Sequence, residues 1–188
     1  STDRVKTIKS ISKIPVVLFP GGASQLSSYY DAILFLSFIS GRNPHYLIGE
    51  QVVAAPVIKD LCIEAISTGY ILVDGGARSA VEIISGTQSI PMEKIDVIIS
   101  HALAGQYLGM KFIYLESGSG ASKSVEIPLI ERVSDEVDVP LIVGGGINSP
   151  RKARKIVSAG ASIVVTGSVI ESEPQKMKEF ADAIHINK

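Results

Sequence analysis

Apolar residues in this chain gather in short unbroken runs rather than in polar alternation. The runs are Val16–Phe19, Ile33–Phe38, Tyr70–Val73, Phe112–Leu115, Leu141–Val143 and Ile163–Val165. Their β-branched content and lack of alternation predict strands buried on both faces, as in a parallel sheet. Between and around them, 3.6-residue periodicity predicts helices over Asp3–Ser12, His45–Ile63, Met92–Leu108, Ile127–Glu136, Pro150–Ala159 and Pro174–Ile184. Pro150 and Pro174 follow a serine and a glutamate, as at a helix first turn. Gly109 and Gly160 stand where a left-handed residue ends a helix.

Strands alternating with helices imply an α/β fold with a parallel sheet. A complete (β/α)8 barrel of the TIM type takes about 200–250 residues. This chain has 188 and opens on a helix with no strand before it. The pattern therefore predicts one (β/α)-barrel domain over 1–188, N-terminally incomplete and lacking its first one or two strands. An open doubly wound sheet is the competing architecture, but it carries its glycine signal after the first strand. Here the densest glycines follow the late strands.

After Leu141–Val143 comes GGGINSP, and one β–α unit later, after Ile163–Val165, comes TGSVIE. Glycines let the backbone approach an anion closely, and their N–H groups can converge on it. In barrels the loops after the last two strands are the usual phosphate site. Gly144, Gly145 and Gly146 match the first loop; Gly167 and Ser168 match the second. Tyr114 and Glu116 stand two apart at one strand end, so both point to the same side of the sheet. A carboxylate there can hold a substrate hydroxyl or act as a general base. FPGGAS (Phe19–Ser24) and VDGGARS (Val73–Ser79) also follow strands and are expected at the same mouth, with Asp74 and Arg78 as charged candidates. His45, His101 and His185 lack partners at ligand spacing and read as structural or exposed.

Composition narrows the partners. With 46% apolar and 20% charged residues the chain is too apolar for disorder, and a net charge of −1 gives no basic face for nucleic acid. Cys62 stands alone, which excludes an intrachain disulfide and fits a reducing, cytoplasmic setting. No apolar run reaches the roughly 18–20 residues of a membrane span.

The segments FPGGASQLSSYYDAILFLSFISGRNPHYLIGEQ, GYILVDGG, AGQYLGMKFIYLESGSGAS, VPLIVGGGINSP and AGASIVVTGSVIE together resemble the geranylgeranylglyceryl phosphate synthases. These are archaeal-type barrel prenyltransferases whose bacterial relatives make heptaprenylglyceryl phosphate. The resemblance implies transfer of a polyprenyl group, geranylgeranyl above all, from its diphosphate to sn-glycerol 1-phosphate with Mg2+, in ether-lipid biosynthesis. It implies that the glycerol phosphate is held by Tyr114, Leu115, Glu116, Ser117, Gly118, Ser119 and Gly120, by Gly144–Gly146, and by Gly167 with Ser168. Glu116, with Tyr114, would serve the attacking hydroxyl. It further implies a homo-oligomer with peripheral membrane contact. Ser1 would match a metal-side hydroxyl, while the family's metal aspartate and the first two strands would precede it. An apolar groove for the prenyl chain is expected from Tyr107 and Leu108, Phe35–Ile39 and Tyr46–Val53. An isomerase or lyase acting on a phosphorylated metabolite, pairing Glu116 with Asp74, remains as an alternative. So does a degenerate phosphate-binding barrel.

Overall fold

The computed structural model describes residues 2–185. Helix α1 (Thr2–Ile11) leads into β1 (Val17–Leu18) and β2 (Ala32–Ser37). Next come α2 (Glu50–Asp60), β3 (Glu64–Leu72), α3 (Ala80–Ser85) and α4 (Ile95–Tyr107). The second half runs β4 (Phe112–Glu116), α5 (Ile127–Glu136), β5 (Leu141–Gly144), α6 (Pro150–Ser158), β6 (Ile163–Val165), α7 (Ser168–Ser172) and α8 (Met177–Ile184). The strands form one sheet in the order β1-β2-β3-β4-β5-β6, and every pairing is parallel. Consecutive parallel neighbours joined by crossovers make a sheet that curls one way, here a partial (β/α) barrel.

Alternation along each strand separates two apolar layers. Ile71, Ile113, Leu115, Leu141 and Val143 face outward and pack with Ile98, Ala102, Leu129, Ile130, Val133 and Ile156 from α4, α5 and α6. Leu34, Tyr70, Leu72, Tyr114 and Ile142 face inward and fill the concave side. The register then aligns a row at the upper rim: Leu72 with Glu116, Glu116 with Gly144, and Gly144 with Val165. That row carries the Glu116 carboxylate to the mouth.

The strand expectations hold with corrections. β3 starts at Glu64, well before Tyr70, and pairs with β2 along its first six residues. Its first half, EAIST, is mixed in polarity, and ladder hydrogen bonds form without apolar side chains, so periodicity missed it. The strands at the two edges are not buried on both faces: Val17 is 43% and Ile163 39% exposed, because each has a sheet neighbour on one side only among the described residues. The helix expected from His45 begins as a π turn, His45–Gly49, before α2. The one expected from Met92 begins at Ile95, after a turn closed by Lys94 N–H donating to the Pro91 carbonyl. The last begins as a 3₁₀ turn, Pro174–Lys176, before α8. Two short helices, α3 and α7, had no periodic signal to betray them.

Candidate active site

At the end of β4 the chain must turn sharply, and the carboxylate of Glu116 is built into that turn. Glu116 is 7% exposed, and its Oε1 accepts the Gly118 N–H at 2.7 Å. Gly118 has φ +102°, a conformation that suits glycine and folds its amide back onto the carboxylate. Ser117 N–H donates to the Gly144 carbonyl at 3.1 Å, and Ser117 Oγ reaches the same oxygen at 3.4 Å. The β4 loop is thereby tied to the β5 loop. Burial pushes the Glu116 carboxyl upward, against the opposing pull of Tyr114 and the Gly118 amide. The group keeps its proton to higher pH than an exposed glutamate and is basic when ionised.

Tyr114 lies one inward position below Glu116 and is fully buried. Its ring contacts Phe19 (centroids 5.6 Å) and Tyr70 (5.2 Å), and Tyr70 meets Phe38 edge-on at 5.2 Å. Tyr114 Oη makes no hydrogen bond of ordinary geometry among the described residues, although it crowds the same point over Gly144 as Glu116 Oε2. Burial, then the Glu116 charge, pushes the phenol far above its usual range, so it is a donor at any working pH.

The glycine loop after β5 has Gly145 at φ +86° and Gly146 at φ +62°. Neither N–H meets an intramolecular acceptor among the described residues, and the same holds for Ser119, Gly120 and Gly167. Beneath the loop, Ser149 caps α6 by accepting the Lys152 N–H, and Lys152 Nζ donates to the Gly146 carbonyl at 3.1 Å. Unpaired amides from three loops thus surround the polar end of a cavity of about 840 Å³. Its remaining walls are apolar: Phe19, Leu34, Leu36, Phe38, Ala54, Val81 and Ile84 among them.

Of the residues expected from sequence, Tyr114, Glu116, Ser119, Gly120, Gly145, Gly146, Gly167 and Ser168 line this cavity together. Ser117, Gly118 and Gly144 stand behind it as the seat of the β4–β5 turn. Leu115 is different: its side chain faces the helix layer and contributes none to the cavity. The FPGG segment reaches the mouth as expected through Phe19–Gly22. Asp74 and Arg78 do not: both are exposed, and Asp74 Oδ1 accepts Gly76 N–H in its own loop at 2.8 Å. That loop is a buttress, its Gly75 carbonyl accepting Lys123 N–H at 3.0 Å and Ser122 Oγ at 3.1 Å. Tyr107 and Leu108 also fall outside the groove, 78% and 76% exposed at the end of α4. His45 pairs with Glu50 at 2.8 Å, His101 Nδ1 meets the Val97 carbonyl, and His185 is exposed, in keeping with structural roles.

Sequence reasoning missed α3 as a wall of the cavity. Ser79 and Glu82 form a capping box there, and Glu82 also accepts from Ser89 N–H and Oγ, fixing the loop around Val81 and Ile84. The S-x-x-E spacing of Ser79 and Glu82 was the available signal. The metal expectation fares otherwise. Ser1 lies outside the described residues, and among those described no three His, Cys, Asp or Glu side chains come together.

Comparison with known proteins identifies the relatives of this chain. The geranylgeranylglyceryl phosphate synthase of Chitinophaga pinensis is 50% identical over 181 residues, covering 96% of this chain and 72% of the relative. That of Methanopyrus kandleri is 42% identical over 180 residues, covering 96% and 74%. The crystal structure of (S)-3-O-geranylgeranylglyceryl phosphate synthase from Thermoplasma acidophilum, bound to sn-glycerol-1-phosphate, superposes with a TM-score of 0.88 at 33% identity, covering 96% of this chain and 73% of that one. The model of the PcrB family matches residues 1–184, and the chain belongs to that family.

Proposed function

We propose that this protein transfers a polyprenyl group, geranylgeranyl in the first instance, from its diphosphate to the free hydroxyl of sn-glycerol 1-phosphate. The observation that carries the reading is the position of Glu116: a buried carboxylate between loops of unpaired amides and a large apolar cavity. The amides of Gly145, Gly146, Gly167, Ser119 and Gly120 suit a phosphate, which needs several donors and no competing side chain. Glu116 then faces the glycerol rather than the phosphate, accepts the hydroxyl's hydrogen bond and takes its proton as the ether oxygen bonds to the prenyl C1. The C1–O bond to diphosphate breaks in the same event, and diphosphate leaves with the electron pair. Tyr114 donates its phenol to the reacting oxygens. The rings of Phe19, Tyr114 and Tyr70 and the apolar walls exclude water from a carbon that carries positive charge as the bond loosens. In this reading Leu115, Ser117, Gly118 and Gly144 shape the site through the backbone.

Mg2+ belongs to the reading as the ion that neutralises a departing diphosphate. Among the described residues no three His, Cys, Asp or Glu side chains gather to hold it, and every step above runs through this chain's own side chains and amides. A cytoplasmic homo-oligomer touching the membrane peripherally also belongs here. The lipid product partitions into a bilayer, and no described helix is long and apolar enough to cross one. The isomerase or lyase alternative needs a second acid–base group at the mouth, and its partner Asp74 lies outside the cavity. The test is incubation of the full-length protein with labelled sn-glycerol 1-phosphate, geranylgeranyl diphosphate and Mg2+, followed by organic extraction. Labelled lipid formed from this enantiomer and not from sn-glycerol 3-phosphate is expected. No labelled lipid with prenyl diphosphates of any length overturns the reading.

A further inference from the structure

The three glycines of the β5 loop are not equivalent. Gly145 and Gly146 have positive φ, so their backbone itself calls for glycine. Gly144 is the last residue of β5, pairs in register with Glu116, and has no such conformation. Alanine is allowed there by the backbone. What forbids it is side-chain space. A Cβ on Gly144 would stand 2.5 Å from Tyr114 Oη, 2.7 Å from Glu116 Oε2 and 3.0 Å from Tyr114 Cε2. Carbon and oxygen at van der Waals contact are separated by clearly more than these distances, so both polar tips occupy the volume a Cβ would take. Two further observations make the seat specific. Tyr114 Oη is buried without a hydrogen-bond partner of ordinary geometry among the described residues, so its place is set by the packing of its ring against Phe19 and Tyr70 and by the free space over Gly144. Glu116 is fixed through Oε1 by Gly118 N–H, which leaves Oε2 as the free oxygen over Gly144.

From this geometry we infer that Gly144 is a positioning residue: its bare Cα is the seat on which the Tyr114 hydroxyl and Glu116 Oε2 converge, rather than part of the phosphate cradle. Its role for turnover rests on the function proposed above, whereas the seat itself is a property of packing. Sites lose efficiency steeply when reacting groups are displaced by about 1 Å, on the order of 10²-fold. Gly144→Ala forces a displacement approaching that size on both groups while leaving the amides of Gly145 and Gly146 in place.

The expected result for Gly144→Ala is a fall in kcat on the order of 10²-fold, with KM and Kd for sn-glycerol 1-phosphate changed less than about threefold. A phosphate-cradle glycine gives the opposite split, a raised Kd with kcat largely kept, and that outcome overturns the inference. A double-mutant cycle with Tyr114→Phe reads the seat without activity. Removing Oη removes the closest contact, so the drop in Tm caused by Gly144→Ala should shrink by about half when Tyr114→Phe is already in place. If Gly144→Ala does not fold, the double variant should fold. A double variant no more stable than Gly144→Ala, or equally unfolded, overturns the inference. Should the Tm coupling appear while the unaltered protein forms no labelled lipid, the seat stands and the proposed function falls. Labelled lipid without coupling leaves the function and removes the seat.

Discussion

Replacing Tyr114 by Phe should make this protein more stable and less active at once. The ring keeps its contacts with Phe19 and Tyr70, and only Oη is lost. In the free protein that oxygen is fully buried and has no hydrogen-bond partner among the described residues. An unsatisfied buried polar group costs about 1–3 kcal/mol. Removing it should therefore raise stability by about 1 kcal/mol, allowing for the small void left behind. For a chain of this length that is a rise in Tm of about 2–4 °C. The same hydroxyl is the donor that the proposed reaction uses, and one lost donor to a reacting oxygen lowers kcat by about 10²–10³-fold. Urea and thermal melts without substrate, with the labelled-lipid assay, measure both. A fall in Tm of several degrees would falsify the reasoning, because it would mean that the hydroxyl already holds a bond in the free protein. An unchanged rate would remove Tyr114 from the reaction.

Glu116→Gln should abolish lipid formation, by at least about 10²-fold. It should also remove a pH dependence of stability. The folded carboxyl lies above its ordinary value of 4.5, so the folded state holds its proton more tightly than the unfolded chain. Stability is then full below 4.5 and declines as pH rises through the folded value. Tm measured from about pH 4 to about pH 8 should show that decline in the unaltered protein and less of it in Glu116→Gln. Gly146→Ala puts a Cβ 2.6 Å from the Lys123 carbonyl and strains a left-handed residue. The strained loop should relax from this geometry in the free protein, so calorimetric Kd for sn-glycerol 1-phosphate should rise by about tenfold or more, the roughly 1–2 kcal/mol needed to restore the left-handed residue on binding. Ile156→Ala empties a fully buried position of α6 in the outer layer and should cost about 2–5 kcal/mol in urea melts, with Kd for the phosphate substrate little changed if α6 stays docked.

The sequence by itself determined the alternation of strands and helices, the parallel sheet and the late glycine loops. These are local signals: unbroken β-branched runs, helical periodicity, and glycine where a turn must pass close to a ligand. It also put Tyr114 and Glu116 on one face, because a strand's side chains repeat every two residues. The tertiary structure decided what those residues do with one another. Asp74 and Arg78 follow a strand as Glu116 does, yet the fold turns their loop outward and uses its backbone as a prop. Tyr107 and Leu108 read as groove and lie on the surface, since apolarity records a preference for burial and not its place. Gly144, Gly145 and Gly146 are one repeated letter in the sequence. Only register and backbone angle separate them: Gly145 and Gly146 need glycine for their φ as well as for space, and Gly144 for space alone. The burial that raises Glu116 is likewise contributed by residues far apart in the chain, and no local pattern encodes it.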